Sequence, residues 1–403
     1  MKAKIINDPV YGFIRINHQL IYDLVSHPYF QRLRRIKQLG LTSFVYPGAL
    51  HTRFHHALGA MHLMRRTLDI LIAKGHEISE EEYEAAMIAI LLHDIGHGPF
   101  SHALEYTILK EVHHENISSL LMDKLNQEFD GKLDLAIRMF KNEYNRAFFH
   151  QLISSQLDMD RMDYLQRDCF FTGVIEGSIG ADRLIQMIDI VDDQIVIEEK
   201  GIYSIENFLN ARRMMYWQVY LHKTTVSTEH MLVQVIRRAK HLTREGVEVT
   251  CTPALAPFMK EDISFERFES EESVLKNFVL LDDYDIWGSI KFWLFHDDFV
   301  LRTLSEHLVE RKIFKVHMFN EPLSVAFIEE QKNAVQKKFG FTDSEMTYMF
   351  NTNSISNSLY GSNDRILIKT KKGDIVDLLE ASELFNAKSM TKSINKYFIC
   401  HPR

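Results

Sequence analysis

The sequence predicts a mainly α-helical protein: a helical bundle with a short β-hairpin over residues 1–315, and a small α+β domain over residues 316–403. Three observations predict it. Apolar residues recur at helical spacing, between recognisable start and stop signals, up to about Arg311. Strand-like runs in that stretch are short and isolated. Beyond about residue 316 the pattern changes, and SVAFIEEQKNAV, RILIKTKKGDIVDL and the terminal YFICHP alternate helix-like and strand-like character. A chain of 403 residues is long enough for two such domains.

The elements follow in order. Met1 to His18 reads as extended, with turns at Asp8-Pro9 and Gly12. After Pro28 a basic helix, QRLRRIKQLG, ends at Gly40 as a C-cap. Ser43 to Tyr46 is β-prone and leads to Pro47-Gly48. Thr52 to Lys74 reads as a helix closed by Gly75. Leu58, Met61, Leu68 and Leu71 line one side of it, and Gly59, Ala60 and Leu63 keep another side apolar, so it is buried. The next helix starts at a capping box, Ser79-x-x-Glu82. Tyr83, Ala86, Met87, Ile90 and Leu91 carry it into His93-Asp94, and Gly96, Gly98 and Pro99 stop it. Helical patterns continue over Asn116 to Gln127, Arg146 to Asp168 and Ser204 to Lys240, with a hairpin around Gln194 to Ile197 ahead of the last. Thr250 to Ser264, with Pro253 and Pro257, is looser. Helices resume at about Glu271 and run to Arg311.

Composition narrows the function. A formal net charge of -8 argues against a general nucleic-acid binder, which carries a basic surplus. Cys169, Cys251 and Cys400 form no C-x-x-C pair, which argues against thiolate metal ligation and a disulfide framework and fits a reducing compartment. The opening MKAKIINDPVYGFIRI has no apolar signal region, and no apolar run reaches membrane-spanning length, so a cytoplasmic protein with no membrane partner is expected. Histidine is the unusual residue. Of 20 copies, ten fall between His51 and His114, and this clustering directs attention to that stretch.

His93-Asp94 ends a helix whose neighbours Ile90, Leu91, Leu92 and Ile95 are apolar. An unpaired charge there is costly to bury. Either a metal relieves the cost, with imidazole and carboxylate as its ligands, or the two form a buried hydrogen-bonded pair. Upstream stands R-F-H-H, Arg53 to His56. Downstream, Leu157, Asp160, Arg161, Tyr164 and Asp168 share one helix face, while Met159, Met162 and Leu165 occupy the opposite side. That face is either functional or a salt-bridged, solvated surface. Arg212, Tyr216, Tyr220 and Lys223 share a third face, the pattern of a cation–π-stabilised surface helix and one that also suits a nucleotide's phosphates and rings.

The strings R-F-H-H-A-L-G, L-L-H-D-I-G-H-G-P-F-S-H and D-x-D-R-x-D-Y-x-x-R-D together resemble the HD-domain phosphohydrolases, most closely their deoxynucleoside triphosphate triphosphohydrolase branch. The resemblance covers roughly Ile6 to Lys240, with weaker echoes to Glu310–Lys315. It implies an HD-domain helical bundle and a metal held by His56, His93, Asp94 and Asp160, with His55 structural. The ligand chemistry fits one divalent ion per chain, Mn, Fe, Zn, Ni or Mg. The resemblance also implies hydrolysis of a dNTP to a deoxynucleoside and inorganic triphosphate. His97, His102 and His114 stand where the branch keeps active-site histidines, and Glu105 where it keeps an aspartate, so Glu105 is expected to orient His102 as general acid. Arg53, Arg161 and Arg212, with Lys223, would meet the triphosphate. Tyr164 and Asp168 would meet the sugar. Gln38 and Leu39 would read the 3'-hydroxyl and crowd the 2' position, with Tyr220 as the other wall. Family members form homo-oligomers, dimers or tetramers, with regulatory nucleotides between subunits. Lys4, Gln31, Arg34, Arg311 and Lys315 match that pocket, and Ser26 replaces its aspartate. The alternatives are another HD phosphohydrolase, acting on nucleoside monophosphates or signalling nucleotides, and a catalytically silent nucleotide sensor.

Overall fold

The computed structural model describes residues 3–100, 102–109, 112–357, 365–384 and 394–403. Helices dominate, as the periodicity predicts. The N-terminal segment folds as a hairpin, β1 (Lys4–Asp8) antiparallel to β2 (Gly12–Ile16), with Ile6 opposite Ile14. Asp8 Oδ1 accepts from the backbone N–H groups of Val10 and Tyr11 and so fixes the turn.

The helix expected up to Gly40 is much shorter. One α-turn, Pro28–Gln31, passes into a 3-10 turn, Arg32–Arg35, and Ile36 is extended. Tertiary bonds capture the backbone beyond it: Lys37 N–H donates to Asp283 at 2.9 Å and Gln38 N–H to the His51 carbonyl at 3.0 Å. Ser43 to Tyr46 also differs from expectation; Thr42–Phe44 is a 3-10 turn rather than a strand.

Helix α1 (Arg53–Ala73) starts at Thr52 and ends before Gly75, whose φ of 95° suits glycine. Helix α2 (Glu80–Leu92) starts on the Ser79–Glu82 capping box, both halves of which form. Next come α3 (His102–Ile108) and α4 (His114–Glu128). The stretch expected as one helix to Asp168 is two, Ala147–Ile153 and α5 (Met159–Thr172). Asp158 makes the break: it caps α5, accepting from Arg161 N–H at 2.6 Å and Ser155 N–H at 2.8 Å. Helix α5 packs on α1, and Gly59 permits the approach, since a Cβ there would lie 1.9 Å from Asp163 Oδ1.

The hairpin β3 (Ile188–Val191) and β4 (Gln194–Glu198) turns through Asp192 and Asp193, both at positive φ. The last long stretch is again broken. Helix α6 (Ile202–Met215) passes into a single π-turn, Tyr216–Tyr220, before α7 (Lys223–Arg244) begins at its cap His222. Such turns displace side chains from a regular helical face and recur at functional sites.

The C-terminal residues contribute in two places. β5 (Lys315–Phe319), β6 (Asn351–Asn357) and β9 (Ile394–His401) form an antiparallel sheet ordered β5-β9-β6. β7 (Leu367–Lys369) joins the β3–β4 hairpin in parallel with β4, and β8 (Ile375–Asp377) completes the order β3-β4-β7-β8. A small apolar cluster, Val335, Met346, Phe350 and Ile399, lies among these elements, while Ile368, Leu378 and Phe398 pack into the main core. Among the described residues no helix is long and apolar enough to cross a membrane.

Candidate metal centre and substrate cavity

Three elements bring the expected ligands together. His56 lies on the first turns of α1, His93 is the C-cap of α2, and Asp160 lies in the first turn of α5. His56 Nε2 is 3.0 Å from Asp160 Oδ1, and His93 Nε2 is 3.5 Å from the same oxygen. Asp94 completes the ring, with Oδ1 3.4 Å from His93 Nε2 and Oδ2 3.7 Å from His56 Nε2. Ligands about 2.1 Å from one ion lie roughly 3.0 Å apart at a right angle and about 4.2 Å apart when opposite, so these edges fall within what one metal allows. Asp94 is shared, because Oδ2 also accepts from Arg53 and Oδ1 lies 3.3 Å from His97 Nε2.

The ring orientations support the same use. His56 Nδ1 is 2.7 Å from Asp163 Oδ2, and His93 Nδ1 is 2.6 Å from the Ile90 carbonyl. Each ring therefore donates Nδ1–H outward and presents the Nε2 lone pair inward, the arrangement that metal-binding imidazoles adopt. Both Nε2 atoms are buried and, among the described residues, have no hydrogen-bond partner, a burial cost that a cation removes. The site attracts positive charge: burial opposes an imidazolium at His56, yet Asp160 and Asp163 carry it up to about 10.

A second layer holds these ligands and was not legible as such in the sequence. Asp163 accepts from Arg167 Nε and Nη2, each at 3.0 Å, and Arg167 Nη1 reaches Asp8 Oδ2 at 2.7 Å, so a fully buried chain of charges runs from β1 to His56. The i, i+4 spacing of Asp163 and Arg167 was the available signal. Arg32 is 1% exposed and donates to the carbonyls of Ile95, His97 and Leu281, satisfying the turn after α2. Ser118 Oγ donates to the His93 carbonyl and accepts from Gly96 N–H. A Cβ at Gly96 would lie 2.2 Å from the His114 carbonyl, so glycine is required there. His55, expected to be structural, accepts from Thr52 N–H through Nδ1 at the start of α1.

His97 and His114 stack with ring centres 3.8 Å apart. Burial and the Arg53 cation hold His97 well below the usual imidazole range. His114 Nδ1 is 2.9 Å from Glu105 Oε1, which also accepts the His114 backbone N–H at 2.8 Å. Glu105 thus grips His114. The side chain of His102 lies outside the described residues, and so does the expected His102–Glu105 pair.

Two cavities flank the centre. One of about 590 Å³ is lined by His93, Asp94, His114 and Asp160 among others. The other, about 380 Å³, is lined by Gln38, Leu39, Arg53, Arg161, Tyr164, Asp168 and Tyr220, which are seven of the eight expected substrate residues. Arg53 joins it to the metal cluster through Asp94. Arg212, the eighth, is buried and donates to Gln156 at 2.9 Å. Lys223 is exposed at the start of α7 and does not line this cavity. The π-turn explains the difference, since it breaks the face that would have aligned Lys223 with Tyr220.

Within the cavity Asp168 is held on both oxygens, by His51 Nε2 and Tyr220 Oη, each at 2.7 Å. Arg161 donates to the Ser155 carbonyl at 2.6 Å. Gln38 Oε1 is buried and has no partner among the described residues. Elsewhere, Arg34 donates to Gln31 and stacks over the Phe54 ring at 3.6 Å, Arg311 donates to the Phe44 carbonyl, and Lys4 lies over Tyr22.

Residues 53–168 match the HD domain family, and residues 179–250 match the HD associated region. The uncharacterized protein YwfO of Bacillus subtilis is 32% identical over 96% of this chain and 90% of its own length. The deoxynucleoside triphosphate triphosphohydrolase SAMHD1 homolog of Dictyostelium discoideum is 34% identical over 59% of this chain and 49% of that protein. Among solved structures, a phosphohydrolase from Bacteroides thetaiotaomicron is 52% identical, with a TM-score of 0.96 and coverage of 100% of both chains.

Proposed function

The chain belongs to the HD-domain family, and from that premise we propose that it hydrolyses deoxynucleoside triphosphates to a deoxynucleoside and inorganic triphosphate. One observation carries this reading: a single cavity, joined to the metal cluster through Arg53, lines up cations, a held carboxylate and tyrosines. The relatives named as deoxynucleoside triphosphate triphosphohydrolases support it.

A divalent metal on His56, His93, Asp94 and Asp160 would lower the pKa of a bound water and polarise a phosphoryl oxygen. The chain supplies the rest. Arg53, Arg161 and Arg212 meet the triphosphate and stabilise charge that develops on it. Tyr164 and Asp168 meet the sugar, Asp168 being fixed in orientation by His51 and Tyr220. The orphan Gln38 Oε1 accepts the 3'-hydroxyl, and Leu39 fills the space a 2'-hydroxyl would need. Water adds to the α-phosphorus, the bond to the 5'-oxygen breaks, and a histidine beside the centre gives the leaving oxygen its proton.

Product analysis over all dNTPs and NTPs, after loading with Mn, Fe, Zn, Ni or Mg in turn, tests the reading. Triphosphate release from dNTPs is the expected result. Release of orthophosphate only, or turnover of nucleoside monophosphates alone, overturns it. A second measurement concerns the sugar. Leu39→Ala is expected to raise kcat/KM for a ribonucleotide by about tenfold relative to its deoxy counterpart, the scale of one filled or emptied apolar contact. An unchanged ratio removes Leu39 from that role.

The chain is also proposed to form a homo-oligomer, at least a dimer. Ile5 and Phe13 are 58% and 66% exposed and share the outward face of the β1–β2 hairpin, while Ile14 and Ile16 face the core. Light scattering of the loaded protein with nucleotide present is expected to give at least twice the chain mass, and Phe13→Asp to reduce it. A monomeric mass for the unaltered protein contradicts this.

A further inference from the structure

Glu229 lines the same cavity, and no reading of the sequence assigned it a part. It stands on α7, which supplies nothing to the metal cluster. Its carboxyl is partly buried, and among the described residues it has no hydrogen-bond or ion-pair partner. Every other charged side chain around the cavity is held: Arg53 by Asp94, Arg161 by Ser155, and Asp168 by His51 and Tyr220. Burial without compensation pushes the Glu229 carboxyl up to about 7. A carboxyl left in this condition in a protein interior is costly unless a ligand supplies the donors.

The part of a nucleotide that could do so follows from charge. Beside the triphosphate a carboxylate would be repelled, and the sugar with its single 3'-hydroxyl is assigned to Asp168 and Gln38. The base remains. Guanine offers N1–H and the 2-amino group side by side, two donors that match the two oxygens of one carboxylate. Adenine and cytosine offer one amino donor next to a ring-nitrogen acceptor, and thymine one N–H between two carbonyls. In each of these an acceptor faces a carboxylate oxygen. Tyr164, Tyr216 and Tyr220 supply aromatic walls for the rings.

We propose that Glu229 reads the nucleobase and selects guanine through paired acceptance from N1–H and the 2-amino group. This rests on the reading of the cavity as a deoxynucleotide site, and the test separates the two. Binding of deoxyguanosine and deoxyadenosine is measured by calorimetry, which needs neither phosphate nor turnover, alongside triphosphate release from the four dNTPs. The unaltered protein is expected to bind deoxyguanosine in preference to deoxyadenosine and to favour dGTP. Glu229→Gln keeps the shape but replaces one acceptor by a donor, and is expected to lower the guanine preference by about ten- to a hundredfold. Its metal content and melting temperature should stay unchanged. Failure of the hydrolysis reading appears as no triphosphate release from any dNTP, whatever binds. Failure of this inference appears as no deoxyguanosine binding, as no preference for it, or as a preference that Glu229→Gln leaves intact.

Discussion

Asp160→Asn and His93→Ala are expected to abolish the metal and the activity together. Asp160 Oδ1 lies within 3.5 Å of both inward-facing imidazole nitrogens, so it is the acceptor on which the cluster converges. Replacing it by an amide removes the negative charge that balances an ion between two buried histidines. A bound metal is worth several kcal/mol of transition-state stabilisation, so triphosphate release should fall by about 10³-fold or more. Elemental analysis should find about one ion per chain in the unaltered protein and a small fraction of that in either variant. Asp163→Asn makes a graded comparison, because Asp163 is not itself a ligand and holds the His56 ring through Nδ1. It should cost about 10- to 100-fold in metal affinity and recover activity at high metal concentration. Full metal content in Asp160→Asn would show that the ligand set is wrong, and an unaltered affinity in Asp163→Asn would detach the buried charge chain from the site.

The difference between these residues also marks what the sequence could and could not reveal. His56, His93, Asp94 and Asp160 each stand in a string whose order is specific, and the structure groups His56, His93 and Asp160, with Asp94 at the edge of that group toward His97 and His114. Helices α1 and α2 were legible almost to the residue, since their caps are local: Thr52, Gly75 and the Ser79–Glu82 box act on their own neighbours. Elements ended by distant partners were not. The helix expected up to Gly40 stops where Asp283, nearly 250 positions away in the chain, takes the Lys37 N–H. Arg32 reads as one more charge in a basic run, and only the assembled turn at Ile95 to His97 shows why it is buried. The break at Asp158 was in principle readable, because a buried aspartate three residues before a free N–H is a cap. Glu229 could not be read, since an unpaired carboxyl is recognised only when its surroundings are known.

Glu105 stands between two candidate proton donors, His102 by its spacing and His114 by contact. Spacing puts Glu105 one turn beyond His102, and its Oε1 accepts from both the backbone N–H and the ring of His114. His114 also lines the cavity that holds His93, Asp94 and Asp160 and stacks on His97, which places its ring beside the centre. A carboxylate at Nδ1 fixes the tautomer and orientation of the ring, the support a proton-transferring imidazole needs. His114→Ala is therefore expected to cut turnover by about 10²–10⁴-fold with metal content near that of the unaltered protein. His102→Ala carries the same expectation by resemblance, so single variants do not separate the two. A double-mutant cycle does. If Glu105 acts through His114, the loss from Glu105→Gln should vanish when His114 is already alanine and persist in full when His102 is alanine. Triphosphate release on the best dNTP, with metal per chain recorded for each variant, supplies the four corners of each cycle. Additive losses for Glu105 and His114, with coupling instead to His102, would return the proton donor to His102 and leave the His114 contact as support for the turn after α2.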